Sequence, residues 1–174
     1  MYDMTDLTEH NEMVERLEKE HLLKKFIVES NAIEGIFDEV GAVMVQIYQN
    51  FLDYPVMTVT ALSAFVRAIE PRNGRLRDKV GMDVRVGSHI APPGSPDMPH
   101  TLDMHLRFID NTTPYKNHLY YENLHPYMDG NGRSGRALWL RQAYHLNNKR
   151  MPHRGFLHQF YYDTLDAQDA RDGS

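Results

Sequence analysis

Residues 125–136 read HPYMDGNGRSGR, and this run dictates much of what the chain can become. Asp129-Gly130-Asn131-Gly132 is the strongest turn signal present, and it stands directly before residues 133–147, which carry a helical pattern. A turn of that kind delivers the chain into a helix N-terminus. There the first backbone N–H groups have no partners inside the helix, and glycines let a ligand approach them without side-chain obstruction. The helix dipole favours negative charge at the same place. The run therefore reads as an anion cradle.

Its neighbours suit a phosphate ligand. Arg133 and Arg136 are three residues apart in the first helical turns, so the spacing puts them on one face where they could clamp the outer phosphates of a nucleotide. Asp129 precedes the cradle, where a carboxylate could hold a magnesium ion bridging two phosphates. His125, four residues upstream, carries an imidazole able to take a proton from an attacking hydroxyl. Taken singly, each residue is ordinary: Asp-Gly and Asn-Gly make common turns, and an arginine early in a helix is usually solvated. Together within twelve positions they are specific. A glycine-rich loop ending in Lys-Ser/Thr is absent, which excludes an ordinary P-loop NTPase.

The rest of the chain has to support that turn. At 174 residues with 41% hydrophobic content, it fits one domain with one core, residues 1–174. No apolar run is long enough to span a membrane, and the acidic N-terminus does not resemble a secretory signal. With no cysteine, the expectation is a cytoplasmic protein without disulfides. A net charge of −5 argues against a general nucleic-acid binder. The ten histidines lack zinc-type spacing, so no structural zinc is expected. Trp139, Tyr144 and Tyr115 read as core aromatics.

Apolar residues recur at three- and four-residue steps over residues 38–53 (Val40, Val43, Met44, Ile47, Phe51) and 58–70 (Leu62, Phe65, Val66, Ile69). Thr58 is placed to cap the second of these helices and Pro71 to stop it. Further helices are expected over 96–110 and 114–124. Residues 79–90, KVGMDVRVGSHI, alternate Val80, Met82, Val84 and Val86 with glycine or polar residues, which predicts a short hairpin or extended flap, or on local pattern alone a surface loop. Residues 1–23 read as a solvated amphipathic helical extension, with a partner or homodimer surface left open.

HPYMDGNGRSGR resembles the signature of the Fic family, His-Pro-Phe-x-Asp-Gly-Asn-Gly-Arg-x-x-Arg, departing from it at Tyr127, whose added hydroxyl needs a polar partner or a route to solvent. VRVGSHIAPPGSPDMP is similar to the family's β-hairpin flap, HLYYENLHPY to the helix leading into the catalytic loop, and FLHQFYYDTLDAQDA to the C-terminal core helix. SNAIEG, residues 30–35, resembles the family's Ser/Thr-x-x-x-Glu-Gly/Asn inhibitory motif. The likeness covers about residues 24–167. It divides the chain into the extension (1–23), an inhibitory helix (24–37) and a catalytic core (38–167).

The resemblance implies an all-α, Fic-like bundle with a small β-hairpin flap, and a protein adenylyltransferase moving AMP from ATP to a Ser, Thr or Tyr hydroxyl of a target protein. On that reading His125 is the general base and Asp129 the Mg²⁺ ligand. Asn131 fixes the α-phosphate, Gly130 and Gly132 present backbone amides, and Arg133 and Arg136 hold the β- and γ-phosphates. Val84, Arg85, Val86, Gly87, Ser88, His89 and Ile90 dock the target. The resemblance also implies that Glu34, in the motif with Ser30, pairs with Arg136 and inhibits. Without it, Ser30 and Glu34 read equally as the capped end of a helix. Transfer of another nucleotide, removal of AMP, or a nucleotide-binding regulatory module are the alternatives. A phosphotransferase of the Doc type is disfavoured, because those relatives carry a lysine-containing loop.

Overall fold

The computed structural model describes residues 4–172; residues 1–3 of the expected extension, and residues 173–174, lie outside it. Among the described residues the order is α1 (Met4–Ile33), α2 (Ala42–Asp53), α3 (Val59–Ile69), β1 (Arg85–Val86), β2 (His89–Ile90), α4 (Met98–Arg107), a 3₁₀ turn (Ile109–Asn111), α5 (Pro114–Leu124), α6 (Asn131–Leu146) and α7 (Phe156–Asp172). This is a helical bundle with one two-stranded hairpin.

Helix α6 is the axis of the bundle, packed by α5, α2, α3 and α1. It is buried on nearly every side, including Ala137, Leu138, Trp139 and Leu140. Phe26 of α1 stacks on Trp139, and Phe65 of α3 meets Phe51 and Tyr48 of α2. Phe156 of α7 closes edge-on against Trp139. Trp139 and Tyr144 are core residues, as their spacing suggests, while Tyr115 is half-buried against Phe160.

Local chemistry sets the ends. Thr58 accepts the Ala61 amide and caps α3, and Thr113 accepts the Lys116 amide with Pro114 as the first residue of α5. The helix expected over 96–110 instead breaks after Arg107. Just beyond the break, the Ile109 carbonyl is taken by Asn117 Nδ2 (2.6 Å) and Gln142 Nε2 (2.8 Å) rather than by a following amide. The segments expected as an extension (1–23) and an inhibitory helix (24–37) share one helix, α1, with no break between residues 23 and 24, and residues 34–37 lie beyond its end. That helix ends where Gly35 turns left-handed (φ 72°), with Gly35 N–H donating to Ala32 and Ile36 N–H to Asn31.

The hairpin is smaller than its alternation suggests. Its ladder holds only Arg85 opposite Ile90 and Val86 opposite His89, all four exposed, and Val80, Met82 and Val84 lie outside it. Its stem is held by Asp83 Oδ1, which accepts the Gly94 amide at 3.0 Å.

Candidate active site

The α5–α6 turn is built from backbone conformations that its sequence selects. His125 ends α5 in the left-handed region (φ 48°, ψ 60°), and Gly130 takes φ 81° immediately before α6. Asn131 clamps the turn between them: its Oδ1 accepts the Tyr127 amide (2.9 Å) and its Nδ2 donates to the Tyr127 carbonyl (2.8 Å). Ser134 Oγ donates to the Gly130 carbonyl (2.8 Å) and receives the Tyr121 hydroxyl (2.7 Å). The Tyr127 side chain is fully buried, and its hydroxyl finds the polar partner it needs in Ser63 Oγ, 2.9 Å away.

The imidazole of His125 is half-buried. Its Nδ1 lies 3.3 Å from the Glu122 carbonyl, and a carbonyl can only accept, so the proton sits on Nδ1 and Nε2 keeps its lone pair. Burial above all holds its pKa below the ordinary imidazole value, with the nearby Arg77 and His89 acting in the same direction. A neutral ring is what a general base requires. Asp129 is exposed, and its Oδ1 accepts the Gly130 amide at 2.6 Å, while its other oxygen makes no hydrogen bond among the described residues. No group of three or more metal-binding side chains occurs among the described residues. One free carboxylate oxygen fits a magnesium ion held mainly by nucleotide phosphates.

The two arginines diverge. Arg133 turns to the end of α3, where Nη1 donates to the Ile69 carbonyl (2.8 Å) and Nη2 to Glu70 (2.7 Å). Arg136 turns to α1: Nε donates to Ser30 Oγ (2.8 Å), and Nη2 to the Ser30 carbonyl (3.0 Å) and the Glu34 carboxylate (2.5 Å). Their three-residue spacing thus does not make a joint clamp here, because each guanidinium follows the carboxylate on its own neighbouring helix end. The Ser30 carbonyl is open because the Glu34 amide has turned to Asn31. The Glu34 carboxylate also lies over Gly132, in the space a methyl group there would fill. The structure therefore sets a protein anion at the glycine-lined start of α6.

Three residues near the turn carry no motif signal: Glu70 on Arg133, Arg77 behind His125, and Glu122, one of whose carboxylate oxygens is buried without a partner. Arg77 binds only backbone carbonyls, which have no sequence signature. Burial raises the Glu122 pKa to about 7.

No family model matches the chain, and no curated protein matches it. Among solved structures it is similar to that of a Fic family protein from Desulfovibrio desulfuricans G20, at 22% identity and a TM-score of 0.53. The match covers 82% of this chain and 53% of the other, so the chain spans about half the length of that protein. A likeness at this identity speaks for architecture: the chain has the Fic fold, with seven α-helices and one antiparallel hairpin among the described residues.

Proposed function

We propose that the chain is a Fic-type protein adenylyltransferase held in check by Glu34. The observation that carries this reading is the carboxylate of Glu34 lying over Gly132 and paired with Arg136. An anion is accommodated at the head of α6, and it belongs to the protein itself. A nucleotide polyphosphate is the ligand whose charge suits the same place, once Glu34 yields it.

The chemistry follows from the turn. ATP lies with its phosphates toward the amides of Gly130 and Gly132, and Arg136, released from Glu34, holds the γ-phosphate. A target hydroxyl oxygen attacks the α-phosphorus, the bond from that phosphorus to the bridging oxygen breaks, and pyrophosphate leaves. The hydroxyl proton passes to His125 Nε2. Asp129 would hold magnesium, which when bound neutralises charge on the phosphates. Asn131 shapes the turn through both ends of its amide on Tyr127, and the second Nδ2 hydrogen is left to meet the α-phosphate. The exposed β1–β2 hairpin offers unpaired backbone groups to an extended target segment.

The test is incubation of wild type and Glu34→Gly with magnesium, a host lysate and ATP, UTP, GTP or CTP in turn, read by intact mass. Covalent AMP on an acceptor, from ATP and dependent on His125, is expected. No nucleotide adduct from any triphosphate with Glu34→Gly would overturn the reading.

A further inference from the structure

Arg77 is fully buried, yet no carboxylate among the described residues pairs with it. Asp83 is the acidic group whose charge reaches it. Its donors go to four backbone carbonyls instead: Nε to His125 (2.7 Å), Nη2 to Leu124 (3.0 Å), and Nη1 to Met82 (3.1 Å) and Pro92 (2.8 Å). These fall in two pairs. Leu124 and His125 are the last carbonyls of α5, left open because His125 turns left-handed. Met82 and Pro92 flank the hairpin, one on each side of the segment that carries β1 and β2. The main chain of residue 77 adds to the same junction, donating to the Pro126 carbonyl (2.9 Å) and accepting the Ser95 amide (3.1 Å).

A buried cation is a poor way to fill space, because removing its charge from water is costly unless its hydrogen bonds are made. Its planar fork, however, can bond two separate backbone segments in fixed directions at once, which an ammonium on a flexible stem cannot. We infer that Arg77 is a positioning residue that couples the flap to the catalytic base, fixing the reach from a target segment docked on β1–β2 to the His125 imidazole. This rests on the reading of His125 as the base and of the hairpin as the docking edge. Arg77 touches neither reactant; it acts by locking the left-handed turn at His125 to both sides of the hairpin.

Amide hydrogen exchange on the full chain tests the coupling independently of activity. In Arg77→Lys, amides in residues 82–92 and 125–128 are expected to lose protection together, by roughly tenfold or more, while those of α2 and α3 keep theirs. Loss in only one of the two segments, or in neither, overturns the proposal. Arg77→Gln should show the same pattern more strongly; if it unfolds, the lysine variant decides. In a Glu34→Gly background, Arg77→Lys should also reduce acceptor turnover by about 10²-fold with the KM for ATP nearly unchanged, as for a misplaced reacting group. Unchanged turnover with both segments loosened overturns the positioning role. If Glu34→Gly itself never labels an acceptor, the adenylyltransferase reading fails, and the exchange pattern still decides whether Arg77 couples the two segments.

Discussion

The Glu34 carboxylate meets the Arg136 guanidinium at 2.5 Å across 102 residues of sequence. Two further bonds from Arg136 to Ser30 fasten the end of α1 to α6. Ser30 and Arg136 are both buried, whereas Glu34 is at the edge, its side chain about 38% exposed. The Ser30 bonds therefore belong to the fold, and on the function proposed above the carboxylate is the part that a ligand displaces.

Replacing Glu34 by glycine is accordingly expected to raise AMP transfer by about tenfold or more, since it removes the occupant competing for the ligand-accepting state. Adding His125→Ala should cancel the gain. Arg136→Ala should not reproduce it, because it removes the phosphate partner along with the inhibitory one. Acceptor and self labelling from α-labelled ATP at matched magnesium gives the comparison, and a Glu34→Gly enzyme no faster than wild type rejects inhibition by Glu34.

Gly132→Ala separates displacement of Glu34 from access to the cradle. The added methyl would land on the Glu34 carboxylate and close to an Arg136 nitrogen, 3.1 Å away. It would push Glu34 out, yet fill the space a phosphate needs. The expected result is weaker ATP binding in calorimetry and no activation. Activation matching Glu34→Gly would mean that the phosphates bind elsewhere.

The Fic fold was legible in the sequence because its decisive elements are short-range. The Asp-Gly-Asn-Gly turn, the Thr58 and Thr113 caps and the apolar stripe of α3 all act within a few residues. Direction was harder to read. Arg133 and Arg136 stand three apart on one helix, but α3 offers Glu70 to one and α1 offers Glu34 to the other, and only tertiary packing decides that. Arg77 was invisible for a different reason: its partners are carbonyls, which every residue has. The hairpin shrank to two pairs because Gly81 (φ 85°) and the Asp83–Gly94 bond turn the chain before an alternating strand can extend.

Tyr127 and Ser63 make a closed test of how the signature accommodates a tyrosine. Ser63→Ala would strand a buried phenolic hydroxyl, costing ~1–3 kcal/mol, while Tyr127→Phe leaves only a half-buried serine that water can reach and should cost less. The double variant should lie close to wild type, as both partners leave together. Denaturant unfolding of the four proteins measures the coupling. Simple additivity would show that the 2.9 Å bond contributes nothing.

Glu122 and His118 give stability opposite dependences on pH. Burial raises the Glu122 carboxyl to about 7 from an ordinary value of 4.5, so between those values the folded protein holds a proton that the unfolded chain has lost. Its penalty is therefore greatest above pH 7 and is relieved as pH falls through 7. Burial lowers His118 to about 4 from 6.5, so in that interval the unfolded chain binds the extra proton and stability declines on acidification. His105, half-buried and also lowered to about 4 by desolvation, adds to that decline. In wild type the two slopes oppose each other between 4.5 and 6.5, where both groups are changing. Glu122→Gln removes one of them. Its melting temperature should exceed that of wild type at pH 8, fall without a compensating rise below pH 6.5, and approach or cross the wild-type curve near pH 5. Thermal melts followed by circular dichroism from pH 5 to 8 distinguish the cases: curves separated by a constant offset would mean that Glu122 is ionised throughout, and that its unpartnered oxygen is solvated in solution.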